Sequence, residues 1–165
     1  MKYRPLPSVE RLNELFVYEP ITGVLMRRMK GGMLNLCNSP LVRKYDDGSV
    51  RTIYNQVPAD KTNYLVHRIA YKMYHGVDPL DLQVDHIDGC GLNNRIANLR
   101  LATRSQNGAN SFSKNYRRHH RSGKYEVQVM FDGICHYGGL FELEEDAKVA
   151  AKALKKKLHG EFARV

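Results

Sequence analysis

Leu82-Gln83-Val84-Asp85-His86-Ile87 is followed by Asp88-Gly89-Cys90-Gly91-Leu92-Asn93-Asn94, then by Asn98-Leu99-Arg100-Leu101 and Thr103. The first six residues read as a short strand, the next seven as a tight loop, and 98–101 as a returning strand. Thr103 is placed to cap a helix running through Asn107 towards Asn110. Strand, loop, strand and helix fit within about 28 residues, too few to make a core alone. A helix at 64–74 and strands from the N-terminal third are therefore expected to pack against them. Asp85 and His86 stand side by side at a strand end, with Asn98 on the return strand and Asn107 on the helix. This order can gather a strand end and a helix face around a small oxygen-lined site. Asp85 and Asn107 offer hard oxygen ligands, which suit Mg²⁺ or Mn²⁺ better than zinc. His86, with an ordinary pKa of about 6.5, can take a proton from water near neutral pH.

Outward from that stretch, residues 64–74 show a helical repeat. Leu65, Ile69 and Met73 recur every four residues beside Val66, Ala70 and Tyr74. Gly76 ends the helix and Asp78-Pro79 blocks its continuation. Further on, Tyr125, Val127, Val129 and Phe131 alternate with Glu126, Gln128 and Met130, which predicts a half-buried strand. Asp132-Gly133 predicts a hairpin turn returning through Ile134 to Phe141. Glu144, Glu145 and Asp146 open a helix whose dipole favours acids at that end. Leu143, Ala147, Ala150, Leu154 and Leu158 are its expected buried stripe. A strand at about 115–119 would complete a three-stranded sheet with one helix across it. In the N-terminal third, Ser8 caps a short helix bearing Val9, Leu12, Leu15 and Phe16. A turn at 19–23 leads to a strand at 24–29, with 50–54 as its expected partner strand. That third carries no motif with an assignable chemistry.

The 165 residues carry 26 Lys and Arg against 17 Asp and Glu, a net charge of +9. Such an excess favours a polyanionic partner, because Lys and Arg clusters release condensed counterions from phosphate backbones. The charge is uneven. Residues 61–110 carry only +2, whereas Lys114, Arg117, Arg118, Arg121 and Lys124 fall within eleven residues that contain no acid. A mean hydropathy of −0.50, and no apolar run near ~18 residues, exclude a membrane-spanning helix. Met1-Lys2-Tyr3-Arg4-Pro5 leads into no signal-peptide core. Cys37, Cys90 and Cys135 are odd in number and far apart, giving neither a disulfide framework nor a zinc knuckle. A cytoplasmic protein with reduced thiols is expected.

At His67-Arg68-Ile69-Ala70-Tyr71, Gly76 to Pro79, Val84 to Gly89, Asn93-Asn94-Arg95, Asn98-Leu99-Arg100, Ala102-Thr103 and Asn107, the chain resembles the HNH nucleases. The likeness is nearer to their phage and intron-encoded homing endonucleases. It spans roughly 64–110, and Tyr18 to Leu25 also resembles the start of such proteins. The resemblance implies an α+β protein with a ββα-metal nuclease core. His86 would be the general base, Asp85 a metal ligand, and Asn98 the asparagine that ties the loop and holds His86. Asn107 stands at the motif's final His position, which makes this an H-N-N variant with an oxygen-only site. One Mg²⁺ or Mn²⁺ per site, double-stranded DNA as partner, and 5′-phosphate and 3′-hydroxyl products are implied. If phage-encoded, the protein would act in a bacterial host's cytoplasm.

Residues Tyr116 to Phe162 resemble the small Apetala-type DNA-binding domain. The likeness rests on Lys124 to Val129, Tyr137 to Phe141, Glu144 to Ala147 and His159 to Ala163. The family's usual Trp is replaced by Tyr125. In that family the sheet enters the major groove, which would make Arg117, Arg118, Arg121 and Lys124 anchors, and Gln128 and His136 base readers. The expected organisation is an N-terminal extension at 1–60, a nuclease core at 61–112 and a DNA-binding domain at 113–165, acting as a monomer.

Blander readings compete at several positions. An isolated Asp-His pair is usually a surface turn; its spacing to Asn98 and Asn107 is what favours chemistry. Asp88 reads as a loop-stabilising residue, since Ile87 and Gly89 break the alternation a calcium loop needs. His67 reads as packed or phosphate-facing, His119-His120 as part of the basic patch, and Cys90 is given no role. Lys148, Lys152, Lys155, Lys156 and Lys157 resemble a DNA stripe but read better as a solvated helix face. The competing function is a DNA-binding protein whose nuclease site has decayed, supported by Asn107 alone. An RNA-binding module lacks the stacking aromatics of a recognisable motif.

Overall fold

The computed structural model describes residues 4–44, 46–111 and 113–164, with the backbone alone for Arg51 and Thr52. Met1 to Tyr3, read above for a leader, lie outside the described residues. The protein is α+β, and its described residues form four small antiparallel sheets and few helices. Its contacts divide it into two compact units, 1–101 and 102–165. No helix among the described residues is long and apolar enough to cross a membrane.

In the first unit, Ser8 caps α1 (Val9–Leu15) by accepting from the Arg11 N–H. Strands β1 (Phe16–Glu19), β2 (Val24–Arg28) and β3 (Leu34–Leu36) form one sheet in that order. Strands β4 (Ser39–Lys44), β5 (Val50–Ala59) and β6 (Thr62–Leu65) form another. The strand expected at 50–54 is therefore longer, and it pairs with its sequence neighbours rather than with the strand at 24–28. Short antiparallel returns close less chain than a distant pairing would. Helix α2 (Val66–His75) ends at Gly76, whose N–H donates to the Lys72 carbonyl. Leu12, Phe16, Leu25, Val57, Val66 and Ile69 make the main core. Ala70, Val84 and Leu99 form a second, smaller cluster, which seats α2 against the two-stranded sheet of β7 (Gln83–His86) and β8 (Leu99–Ala102). Asp78 fastens the N-terminal segment to α2. It accepts from the Leu6 N–H at 2.9 Å and from Lys72 Nζ at 3.2 Å.

The second unit contains α3 (Arg104–Ala109), β9 (Tyr116–Arg118), β10 (Tyr125–Phe131), β11 (Ile134–Phe141) and α4 (Glu144–His159). Thr103 closes a capping box with Gln106 at the start of α3. The three strands pair antiparallel in the order β11-β10-β9. Helix α4 covers the face that carries Val127 and Val129. The expected stripe along α4 holds at Ala147, Ala150 and Leu154, which pack on the Val127 cluster, and needs correction elsewhere. Leu143 is exposed, and the buried positions are Ala147, Ala151, Lys155 and His159. Lys155, read as solvated, is 3% exposed. Its Nζ donates to the carbonyls of Ser111 (2.7 Å) and Arg164 (2.9 Å), and the Arg164 N–H donates to the Ala109 carbonyl. A buried ammonium is tolerated because it is hydrogen-bonded to two carbonyls, one of them just after α3.

Candidate active site

The site is built on the β7–β8 hairpin. Asp85 and His86 are its last two residues before the loop, and both are buried. The loop is held by a closed set of hydrogen bonds. Asn98 Nδ2 donates to Asp88 Oδ1 (2.9 Å) and to the Asn93 carbonyl (2.8 Å). The Asp88 N–H donates back to Asn98 Oδ1 (3.0 Å), and Asn93 Nδ2 donates to Asp88 Oδ2 (2.7 Å). Burial alone would raise the Asp88 carboxyl, but the donors from Asn93, the Cys90 N–H and Asn98 outweigh it and hold the group below its usual range. Asp88 is the knot of the loop rather than a ligand.

His86 lies among Tyr54, His67 and Asn94. Its Nε2 is 3.1 Å from Asn94 Oδ1, and Asn94 is 3% exposed. His67 meets it edge to face at 4.9 Å between ring centroids, and Tyr54 lies at 5.9 Å. Burial pushes the His86 imidazole down. The Asn94 hydrogen bond and the carboxylates of Asp88 and Asp85 pull it partly back. The net shift is downward, which favours the neutral imidazole. His67 is driven well below its ordinary value by complete burial, with smaller contributions from His86, Arg68 and Arg43. Its Nδ1 has no hydrogen-bond partner among the described residues.

Two glycines permit this packing. A Cβ on Gly91 would lie 2.3 Å from the Ile53 carbonyl and 2.7 Å from the Tyr54 ring, so only glycine lets the loop rest on β5. Gly23, at φ +76°, would place a Cβ 2.4 Å from the Arg95 nitrogen and 2.5 Å from the Asn94 carbonyl carbon. The turn between β1 and β2 therefore sits directly on the backbone of Asn94 and Arg95. Tyr18 Oη donates to the Asn94 carbonyl at 2.6 Å, and the Ile96 N–H donates to the Pro20 carbonyl at 3.1 Å. The N-terminal third, which carries no motif of its own, thus supports the loop that contacts His86.

Asp85 Oδ2 accepts from Arg100 Nε at 3.0 Å. Asn107 lies on α3, in the second unit. The metal implied by the resemblance must be judged on this donor set. Among the described residues, no three His, Cys, Asp or Glu side chains gather as a ready-made cage. One buried carboxylate and amide oxygens are hard donors. By donor type each suits Mg²⁺, which commonly takes only one or two carboxylates and completes its shell with water and substrate phosphate.

The basic residues expected to meet DNA differ in placement. Pairing of Arg117 with Glu126 and of Gln128 with Tyr137 puts Arg117 and Gln128 on the sheet face opposite α4. Arg117 Nε donates to Glu126 at 3.1 Å, and Lys124 pairs with Glu142 at 2.6 Å. Arg118 Nε donates to the Gly123 carbonyl at the loop, and Arg121 is exposed. His136 pairs with Val129 and therefore lies on the helix side. Its ring is 6.1 Å from Phe131, and its Nε2 is buried without a partner among the described residues. This corrects the expectation that His136 shares an exposed face with Gln128. The tight turn at Asp132-Gly133 sets His136 opposite Val129, and the β-bulge at Gly138 shifts the register only beyond Gln128, so that Gly139 faces Val127.

Tyr54, and the contacts that Asn94 and Arg100 make to His86 and Asp85, are what sequence reasoning missed, whereas the packed reading of His67 agrees with its burial. Asn93 and Asn94 are adjacent asparagines, and nothing in spacing tells which one turns inward. The 64–74 repeat placed His67 beside the buried Val66 and Ala70, which was the one available signal.

A buried imidazole and a buried carboxylate thus stand consecutively at the end of a strand, on a ββ hairpin whose loop is knotted by asparagines. The HNH endonuclease family pattern matches residues 64–109. An uncharacterized HNH endonuclease, L560, of Acanthamoeba polyphaga mimivirus is 31% identical over 166 residues, covering 96% of this chain and 88% of that protein. The chain belongs to the HNH endonuclease family. A solved structure described as DNA binding and cleavage by the HNH homing endonuclease I-HmuI is 20% identical, covers 79% of this chain and 75% of its own, and aligns with a TM-score of 0.42.

Proposed function

We propose that this protein is a DNA endonuclease of the homing type, hydrolysing a phosphodiester with His86 as general base. The supporting observation is His86 itself, buried, favoured in its neutral form and aimed by Asn94, with the Asp85 carboxylate adjacent in the same strand. A neutral imidazole can accept the proton of a water attacking phosphorus, a contribution of about 10²–10⁴-fold. Asp85 and Asn107 would hold one divalent ion. Such an ion, when bound, supplies positive charge for the scissile phosphate and the departing 3′ oxygen. Arg100 holds Asp85 in orientation, and Asn98 fixes the loop that begins after His86. Arg117, Arg118, Arg121, Lys124 and Gln128 would anchor the second unit on DNA, with that unit as an Apetala-type reader. His136 is not part of this face.

A second reading, a DNA-binding protein with a decayed nuclease site, draws on the Asp85–Arg100 ion pair, which already occupies one carboxylate oxygen. Supercoiled DNA carrying candidate sites, incubated with Mg²⁺, Mn²⁺ or EDTA, separates the two. Nicking with metal that His86→Ala abolishes, while gel-shift affinity persists, is the expected result. Gel shifts without nicking under any metal would establish the binder.

A further inference from the structure

Building on the endonuclease reading, we infer that Asn94 is a positioning residue that sets the tautomer of His86, making Nδ1 the atom that receives the proton. Asn94 Oδ1 faces His86 Nε2 at 3.1 Å. The orientation of the amide follows from its other end, since Nδ2 points to the Leu92 carbonyl at 3.4 Å, where only a donor belongs. An amide oxygen accepts and cannot donate. In the neutral imidazole, Nε2 must therefore carry the hydrogen, which leaves the basic lone pair on Nδ1. Both side chains are at least 95% buried, so water competes poorly for this bond and its loss would leave a buried polar atom without a partner.

The amide is itself aimed from behind. Its backbone carbonyl accepts from Tyr18 Oη at 2.6 Å, and the Gly23 backbone closes on Asn94 and Arg95 too tightly to admit a Cβ. The Ile96 N–H is tied to Pro20. The turn at 18–23 thus reaches His86 through a single residue. Hydrogen-bond partners that orient metal-ligating histidines typically affect metal affinity or activity by about 10- to 100-fold, and an effect of that order is expected for a histidine base.

Long-range ¹H–¹⁵N correlations of the His86 ring in metal-free protein test the assignment without reference to activity. The wild type is expected to show the Nε2–H tautomer. Asn94→Ala should shift the ring towards the Nδ1–H form or into tautomer exchange, and Asn94→Asp should preserve Nε2–H because a carboxylate also accepts. Tyr18→Phe, the mildest variant, should shift the ring in the same direction as Asn94→Ala but less. In nicking assays, Asn94→Ala should lower kcat about 10- to 100-fold with KM for DNA unchanged, and Asn94→Asp should recover most of it. A wild-type Nδ1–H tautomer, or an unchanged tautomer in every folded variant, overturns the inference. A wild type that nicks no DNA with any metal overturns the endonuclease reading, while the ring spectra still decide the role of Asn94.

Discussion

The hairpin loop of the first unit and the sheet of the second handle polar groups in opposite ways. At 85–98, polar side chains satisfy one another: His86 with Asn94 and Asp85 with Arg100 turned inward, and Asp88 with Asn93 and Asn98 on the exposed loop beside them. On the open face and loop of the sheet, the basic charges stay in solvent. The side chain of Arg117 is 69% exposed in its pair with Glu126, and Lys124 meets an exposed Glu142. Buried interactions act at low effective dielectric, so losing one is felt strongly and locally. Exposed pairs are screened and individually weak. Chemistry should therefore be sensitive to single substitutions in the first region, and binding should be graded across many in the second.

His86→Ala is the sharpest way to break this contrast. Nicking should fall by at least about 100-fold while the affinity of the protein for DNA stays within error by gel shift. Equal loss of both would mean that the hairpin serves binding rather than chemistry. Next in size is Gly23→Ala. The added methyl meets backbone, which cannot rotate away, and the left-handed φ adds about 1 kcal/mol to a clash of about 1–3 kcal/mol. Thermal unfolding should drop by several degrees. Nicking by the remaining folded protein should also fall, because the strain bears on Asn94. Unchanged stability would show that the turn does not press on the loop.

The difference between the regions also explains what could be read in advance. The hairpin, the helix before it and the whole second-unit sheet were legible, because each is specified by local periodicity, caps and turn residues. The loop's residue types were legible too, as Asp85, His86 and Asn98 stand at motif spacing. The pairing of β5 with β4 and β6, and the clamp of Tyr18 and Gly23 on Asn94, depend on contacts between residues more than 70 positions apart in the second case. Nothing local marks such a contact. Lys155 and His136 misled for a related reason. Lysine and histidine are usually exposed, and only the tertiary arrangement offers the carbonyls that bury Lys155 and the register that turns His136 towards α4.

The buried polar cluster also makes stability depend on pH, by a smaller amount. His67 is held well below its ordinary value of 6.5 by burial. Below that pH the unfolded chain binds a proton that the folded His67 refuses, so the unfolded state holds more protons and stability rises with pH. The contribution is complete above pH 6.5 and is lost as pH falls below it, at up to about 1.4 kcal/mol per pH unit for one proton. Urea midpoints at pH 7.5 and 5.5 should show the wild type weakening. His67→Leu should flatten that slope even where it costs some stability overall. A slope equal to the wild type's would mean that the buried imidazole is protonated in the fold.

The smallest expected effects fall on the second region and sharpen its half of the comparison. Each Lys or Arg that neutralises a phosphate contributes about 0.9 to the slope of log affinity against log salt. Arg121→Ala removes an exposed charge, and so should weaken DNA binding slightly and reduce the slope by about one contact's worth. Arg117→Ala should do less at low salt, because Arg117 must first give up Glu126 to reach a phosphate. Glu126→Gln separates these contributions, since it frees Arg117 without removing it and should tighten binding while leaving the slope unchanged. Salt titrations of the four proteins on one duplex decide the matter. Identical slopes for wild type and Arg121→Ala would take this loop off the DNA, and the second unit would then need another face for its contact.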